Sequence, residues 1–243
     1  MEPRGLTWGS IKPFLLKSAT EFRFPGPLQV TSAEYGREIE EVRRKGGAQS
    51  LERTADETAA AIFWVVSMPA VFNDTARNEA KVKKTSLVEN ARLFALLNLA
   101  ASDSQVAAWS QKFSINFLRP VTAIRNARKI GVPGVQEESD WNPLLVTPAH
   151  PDYPSGHCAY GGAAVRMLQL LFGSDVVDAS YTFPAGGVTR RWRSYTEMGK
   201  EVGEARIWGG IHTRTADEHA HMIGEKIAEY TFENFMRPNA PAN

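Results

Sequence analysis

Three short stretches of this 243-residue chain gather side chains suited to gripping a tetrahedral oxyanion: Lys112 to Pro120, Pro154 to His157 and Arg206 to His212. Lys112 and Arg119 stand seven residues apart. That is two turns of one helical face, a spacing that predicts a cation pair aimed into one cavity. Pro154-Ser155-Gly156-His157 reads as a turn feeding a helix. Ser155 is the expected N-cap, leaving the amides of Gly156 and His157 free at the positive helix end, where phosphate-like anions bind. Arg206 and His212 are six apart, which on a regular helix splays them by about 120°. Gly209-Gly210 between them lets the chain leave the helix and turn both side chains toward one site. An anion with more than one charge and several acceptor oxygens is far too costly to bury unpaired. Two guanidiniums, an ammonium, a hydroxyl and a helix-start amide offset that charge through charge-assisted hydrogen bonds.

The elements that must position these groups read as helices. Thr31/Glu34, Thr54/Glu57, Ser86/Glu89 and Thr215/Glu218 each carry the capping-box spacing, and Leu93, Leu96, Leu97 and Ala100 follow helical periodicity. Stops stand at Gly46-Gly47 and before Pro69. Helices are expected near 31–45, 54–68, 75–83, 86–112, 118–130, 155–172, 195–208 and 215–235, with no comparable support for strands. Residues 131–154 and 173–194 are expected as long, turn-rich connections, of the kind that commonly carry function. The fold class is all-α, one domain over 1–243, with residues 1–30 as an extended lead-in.

Composition narrows the partners. With 28 basic and 27 acidic residues the chain has no global field for nucleic acid or an anionic membrane surface, so attraction for anions must be local. No apolar run reaches the roughly 18 residues of a membrane span. Met1 to Ser18 lacks the apolar core of a signal peptide, and the compartment stays open. Cys158, the single cysteine, has no intramolecular disulfide partner and reads as a small buried hydrophobe.

The order Lys112-x6-Arg119-Pro120, Pro154-Ser155-Gly156-His157 and Arg206-x5-His212 resembles the three-part signature of the vanadium-dependent haloperoxidases and the type-2 phosphatidic acid phosphatase superfamily. The similarity extends through Trp109, Val121 to Arg125 and Gly209-Gly210-Ile211, covering about residues 86–220. It implies an all-helical bundle and a vanadate cofactor held by Lys112, Arg119, Ser155, Gly156 and Arg206, with vanadium bonded through His212. It also implies His157 as acid-base and Lys112 as the group polarising the oxygen that a halide attacks. Hydrogen peroxide, a halide and an organic acceptor would be the substrates. Longer relatives carry a helical region before the matched part. This chain is then expected to be a truncated or compact member, with the pocket walls of the missing part either supplied by a second subunit of a homo-oligomer or absent.

Smaller features choose the branch. Trp109, three before the lysine, is typical of haloperoxidases, and Ala205 and Ala216 stand where the phosphatases typically carry Ser and Asp. Asp217, one residue further, reads as a first-turn acid of a helix capped by Thr215. His150 stands seven before His157, where the resemblance puts histidine in bromide-oxidising members; a plain loop histidine is the competing reading. Asp103 is expected near enough to orient an arginine or a histidine. His219 and His221 read as surface or packing residues, and Arg190 to Arg193 as a solvated loop. The alternative function is an acid phosphatase in which His212 attacks phosphorus. A binding module without catalysis is disfavoured by the complete signature.

Overall fold

Two of the four sequence caps form as expected and fix where helices begin. Thr54 and Ser86 each accept from the amide three residues on, while Glu57 and Glu89 reach back to the cap amides. They open α2 (Ala55–Phe63) and α4 (Leu87–Ile115). The other two differ. α1 (Ala33–Gly46) is capped by Ser32, one residue after Thr31, through a 3.1 Å bond from the Tyr35 amide. The last helix, which begins at Arg214, has Thr213 as its cap residue, and Thr215 instead bonds Glu38 through both hydroxyl and amide.

The computed structural model describes residues 2–23, 26–185 and 187–237, and its architecture is mostly helical, as expected. The expected helices at 54–68 and 75–83 regroup as α2 and α3 (Met68–Val82). Pro69 does not stop a helix; it occupies the first turn of α3, where its missing N–H has no partner to lose. The stretch expected at 118–130 breaks at Asn126 into α5 (Pro120–Arg125) and α6 (Ala127–Ile130). After α7 (Gly156–Phe172) comes a correction to the strand-free reading. β1 (Val176–Thr182) and β2 (Thr189–Ser194) form an antiparallel pair with Ala179 opposite Trp192. The alternation is weak in sequence because the buried face rests mainly on Val177, Ala179 and Trp192. Arg190 is accordingly no solvated loop residue: it pairs with Asp56 and Glu201, and Glu201 also accepts from the indoles of Trp64 and Trp192. α8 (Tyr195–Trp208) and α9 (Arg214–Asn234) complete the chain.

α4 is apolar around much of its circumference and lies at the centre, packed on α7 and α9. α7 and α9 share the most extensive helix contact because glycine removes the side chains between them. A Cβ at Gly162 would stand 2.1 Å from the His221 carbonyl, and one at Gly224 would stand 2.2 Å from the Ala159 carbonyl. No single helix among the described residues is long and apolar enough to cross a membrane.

The lead-in is tied down instead of trailing. Asp103, buried on α4, accepts from the backbone amides of Phe14, Leu15 and Leu16 at 2.7, 2.7 and 3.0 Å. That corrects its expected role, since the carboxylate is used on the lead-in and, among the described residues, orients neither an arginine nor a histidine. The Arg4 amide adds a bond to the Ala149 carbonyl, and Trp8 lies on Trp109 with ring centroids 5.0 Å apart. Asp103→Ala leaves these amides without their acceptor. The expected outcome is a loss of about 1–3 kcal/mol in denaturant unfolding, with faster hydrogen exchange at residues 14–16; unchanged exchange there would contradict the clamp.

Candidate functional site

The three stretches converge at one end of the bundle by routes that helix periodicity alone does not describe. Lys112 lies in the last turn of α4, which closes at Asn116 in the left-handed conformation (φ 53°), and Arg119 is the extended cap residue before Pro120 of α5. The two cations therefore do not share one helical face as expected; they reach the same place from a helix end and a connecting segment. Lys112 is fully buried, its Nζ donating to the carbonyls of Pro151 and Asp152 at 2.9 and 2.8 Å. Arg119 Nε donates to the His150 carbonyl at 2.7 Å and Nη1 to the Ile211 carbonyl at 2.5 Å. Its Nη2 lies 2.9 Å from His150 Nδ1 and its Nη1 3.2 Å from His212 Nε2. One guanidinium thus joins the loop before α7 to the turn after α8.

Gly209-Gly210 makes that turn as expected. α8 ends at Trp208, Gly210 adopts φ 75°, and the Ile211 amide returns to the Arg206 carbonyl at 3.1 Å. The turn is pinned against the end of α1, where a Cβ on Gly210 would stand 2.3 Å from the Gly46 carbonyl. Arg206 and His212, six apart in sequence, both end up 2% exposed.

Ser155 is the cap residue of α7, yet its hydroxyl makes no capping bond. The Ser155 side chain turns instead toward Asp217 and Cys158, while among the described residues Arg206 Nε and Nη2 are buried without a hydrogen-bonding partner. Buried donors are ordinarily satisfied, so these call for an acceptor-rich group between α7 and α8. Gly156 is closed over by Trp109, whose ring would stand 2.4 Å from a Cβ there.

Burial controls the charges. It drives the Lys112 ammonium well below its usual range, helped by repulsion from Arg119, and lowers Arg206 to about 10. His157 and His212 are held far below the ordinary imidazole value, first by burial and then by neighbouring cations, chiefly Arg206 and Arg119 respectively. His150 falls to about 3 from burial, Lys112 and Arg119. The imidazoles are neutral near pH 7 and the cations supply the positive field. Asp217 lies in the first turn of α9 as expected, but it is buried there. It is 5% exposed, accepts from Cys158 Sγ at 3.2 Å and is raised to about 8 by burial, so it counters little of that field. Cys158 is buried as expected.

His157 makes a hydrogen bond to the Trp64 backbone and lines two adjoining cavities of about 500 and 520 Å³, both of which it shares with Trp8 and Trp109. His150 faces the second cavity and stacks near Trp109, centroids 5.3 Å apart, so it is no isolated loop histidine. Trp109 also lies under Lys112, with Nζ 5.8 Å from the ring centroid. His219 bonds the Tyr153 hydroxyl at 2.9 Å and His221 pairs with Glu225 at 3.4 Å.

Sequence reasoning missed Asp152, Thr213 and Trp8. Asp152 is fully buried, with Oδ1 2.6 Å from His212 Nδ1 and Oδ2 accepting from Thr213 Oγ1 at 2.8 Å. Its one signal was an acid lodged directly before Tyr153-Pro154-Ser155. Burial raises this carboxyl, while Arg119 and Lys112 pull it back down.

The sequence matches the family described as the VCPO second helical-bundle domain over residues 92–240. It is similar to the vanadium chloroperoxidase of Curvularia inaequalis, 28% identical in an alignment 174 residues long that covers 60% of this chain and 28% of that protein. The fold is similar to that of the first bacterial vanadium-dependent iodoperoxidase, with a TM-score of 0.78 and 27% identity over 96% of this chain and 58% of that one. It is also similar in fold to an apo-type bacterial vanadium-dependent chloroperoxidase, with a TM-score of 0.80 and 21% identity over 94% of this chain and 54% of that one. The chain therefore spans little more than half of these structural relatives, and its alignment spans under a third of the fungal protein.

Two outcomes are expected. Gly210→Ala strains a positive-φ position and drives a methyl into the Gly46 carbonyl, so it should lower stability by about 1–3 kcal/mol and weaken phosphate binding, read by calorimetry. In nitrogen-resolved NMR of the protein, the His150 ring should stay neutral on acidification past its ordinary midpoint and take its proton only near pH 3; protonation near 6.5 would contradict the burial argument.

Proposed function

The chain belongs to the VCPO second helical-bundle domain family, and from that membership we propose that it works, as one helical unit, as a vanadate-dependent haloperoxidase favouring bromide. The observation that carries the reading is the buried, cation-lined pocket in which Arg206 Nε and Nη2 have no protein partner. Vanadate matches this donor set: it is anionic, tetrahedral and rich in acceptors, and a neutral histidine nitrogen can bond its metal. Lys112, Arg119, Ser155, Arg206 and the Gly156 amide would hold its oxygens, and His212 Nε2 would bond the vanadium. When bound, vanadate supplies a Lewis-acid centre that activates hydrogen peroxide for oxidising a halide to a hypohalous acid equivalent.

The residues around it divide the remaining work. His157, neutral through burial, is suited to accept a proton from incoming peroxide. Lys112 gives up part of its preference for charge on burial, and its ammonium would hold and polarise an oxygen of the bound oxyanion. Bromide as the favoured halide rests on His150, fixed beside Arg119 and Trp109 at the wall of the second cavity. The two cavities beside His157, walled by Trp8 and Trp109, offer room for the organic acceptor.

The test is bromination of a phenol-type dye by vanadate-free protein with bromide and peroxide, before and after orthovanadate is added, with phosphate as competitor. Activity should appear only with vanadate, fall as phosphate rises, and be lost with tight vanadate binding in His212→Ala. No halide oxidation, together with hydrolysis of a phosphate ester that vanadate inhibits, would replace this reading with the phosphatase one.

A further inference from the structure

We propose that Asp152 is a positioning residue that fixes His212 in the tautomer protonated on Nδ1, so that Nε2 points its lone pair into the oxyanion pocket. The inference rests on the reading of His212 as the vanadium-bonding residue. Two contacts on opposite edges of the ring agree on the same proton position. On one edge, Asp152 Oδ1 approaches Nδ1 to 2.6 Å as an ion-pair contact, and among the described residues neither atom has a well-directed hydrogen bond to any group. An ionised carboxylate only accepts, so this contact becomes a hydrogen bond when the proton lies on Nδ1. On the other edge, Arg119 Nη1 stands 3.2 Å from Nε2. A guanidinium only donates, so Nε2 must present its lone pair.

Asp152 is itself held from three sides, as a group that aims another must be. Thr213 Oγ1 donates to Oδ2 at 2.8 Å, the Asp152 amide donates to the Phe117 carbonyl at 3.1 Å, and the Asp152 carbonyl accepts from Lys112 at 2.8 Å. Thr213 is the cap residue of α9 but makes no capping bond with its side chain. Its hydroxyl serves the carboxylate instead. A simple ion pair with Arg119 explains less, because the nearest approach to that guanidinium is 3.8 Å. Carboxylate support behind a metal-bonding histidine orients the ring and raises the basicity of its free nitrogen.

The test has a readout that needs no bound vanadate. Long-range proton–nitrogen correlation spectra of the vanadate-free protein should show His212 carrying its proton on Nδ1. Finding it on Nε2, or on both nitrogens, in the wild-type protein overturns the proposal whatever the variants do. Asp152→Ala should move His212 toward a mixture of tautomers and weaken orthovanadate binding about 10–100-fold by calorimetry. The near-isosteric Asp152→Asn can still offer an oxygen to Nδ1, and it should retain the wild-type tautomer and recover most of that affinity. A folded Asp152→Ala protein with the wild-type tautomer and affinity within twofold also overturns it. If the wild-type protein takes up no orthovanadate, the proposed function fails, while the spectra still decide what Asp152 does to His212.

Discussion

One ammonium and two guanidiniums, on Lys112, Arg119 and Arg206, are buried at the same end of a helix bundle, each stripped of hydration worth several kcal/mol and repelled by the others. The surrounding structure answers that cost with dipoles and leaves the field largely uncancelled. Carbonyls of Pro151 and Asp152 take up Lys112, and carbonyls of His150 and Ile211 take up Arg119. Of the two nearby carboxyls, Asp217 is kept mostly protonated by burial and Asp152 faces the His212 ring. Arg206 keeps two nitrogens without a protein partner. A site built this way is short of negative charge and acceptors by construction, which is the electrostatic description of an oxyanion pocket.

The backbone devices at that end follow from the same demand. Carbonyls are free to face the cations only where the chain is not helical, so each contributing element stops at the site. α4 stops at left-handed Asn116, the loop before α7 bends through residues 149–154 and reaches α7 at an extended Ser155, and α8 turns back at Gly210. Those interruptions need rigid supports. The Gly162–Gly224 approach locks α7 to α9, and the Gly46–Gly210 contact locks the turn after α8 to α1. Neutral histidines then complete the pocket without adding to the repulsion, since protonating any of them would place another buried charge beside Arg119 or Arg206.

The lead-in shows how a segment with little secondary structure becomes part of a site. Three amides on one carboxylate, that of Asp103, secure residues 14–16 to the central helix. The same anchoring brings Trp8 against Trp109, where it walls both cavities beside His157. The chain covers little more than half of its structural relatives, yet here its own first residues form part of the wall.

Local rules were enough for several features. The capping boxes at Thr54 and Ser86 were readable because both partners of each bond lie within four residues, and the helical class was readable from periodicity. The glycine pair after α8 announced the fold-back because Gly210 occupies a backbone region that other residues avoid. The types and order of Lys112, Arg119, Ser155, His157, Arg206 and His212 were legible because burying an oxyanion requires that chemistry. What spacing could not supply was every relation crossing the chain. Asp103 looked like a site acid until the lead-in claimed it, and Asp217 looked like a plain first-turn acid until α7 covered it. Asp152 and His212 are separated by 60 residues and meet only because the turn after α8 packs on the loop before α7. Residue chemistry and short-range geometry were therefore written in the sequence. Burial, the resulting protonation states and the partner of each polar atom were decided by tertiary packing, because they depend on which distant segments exclude water from a given group.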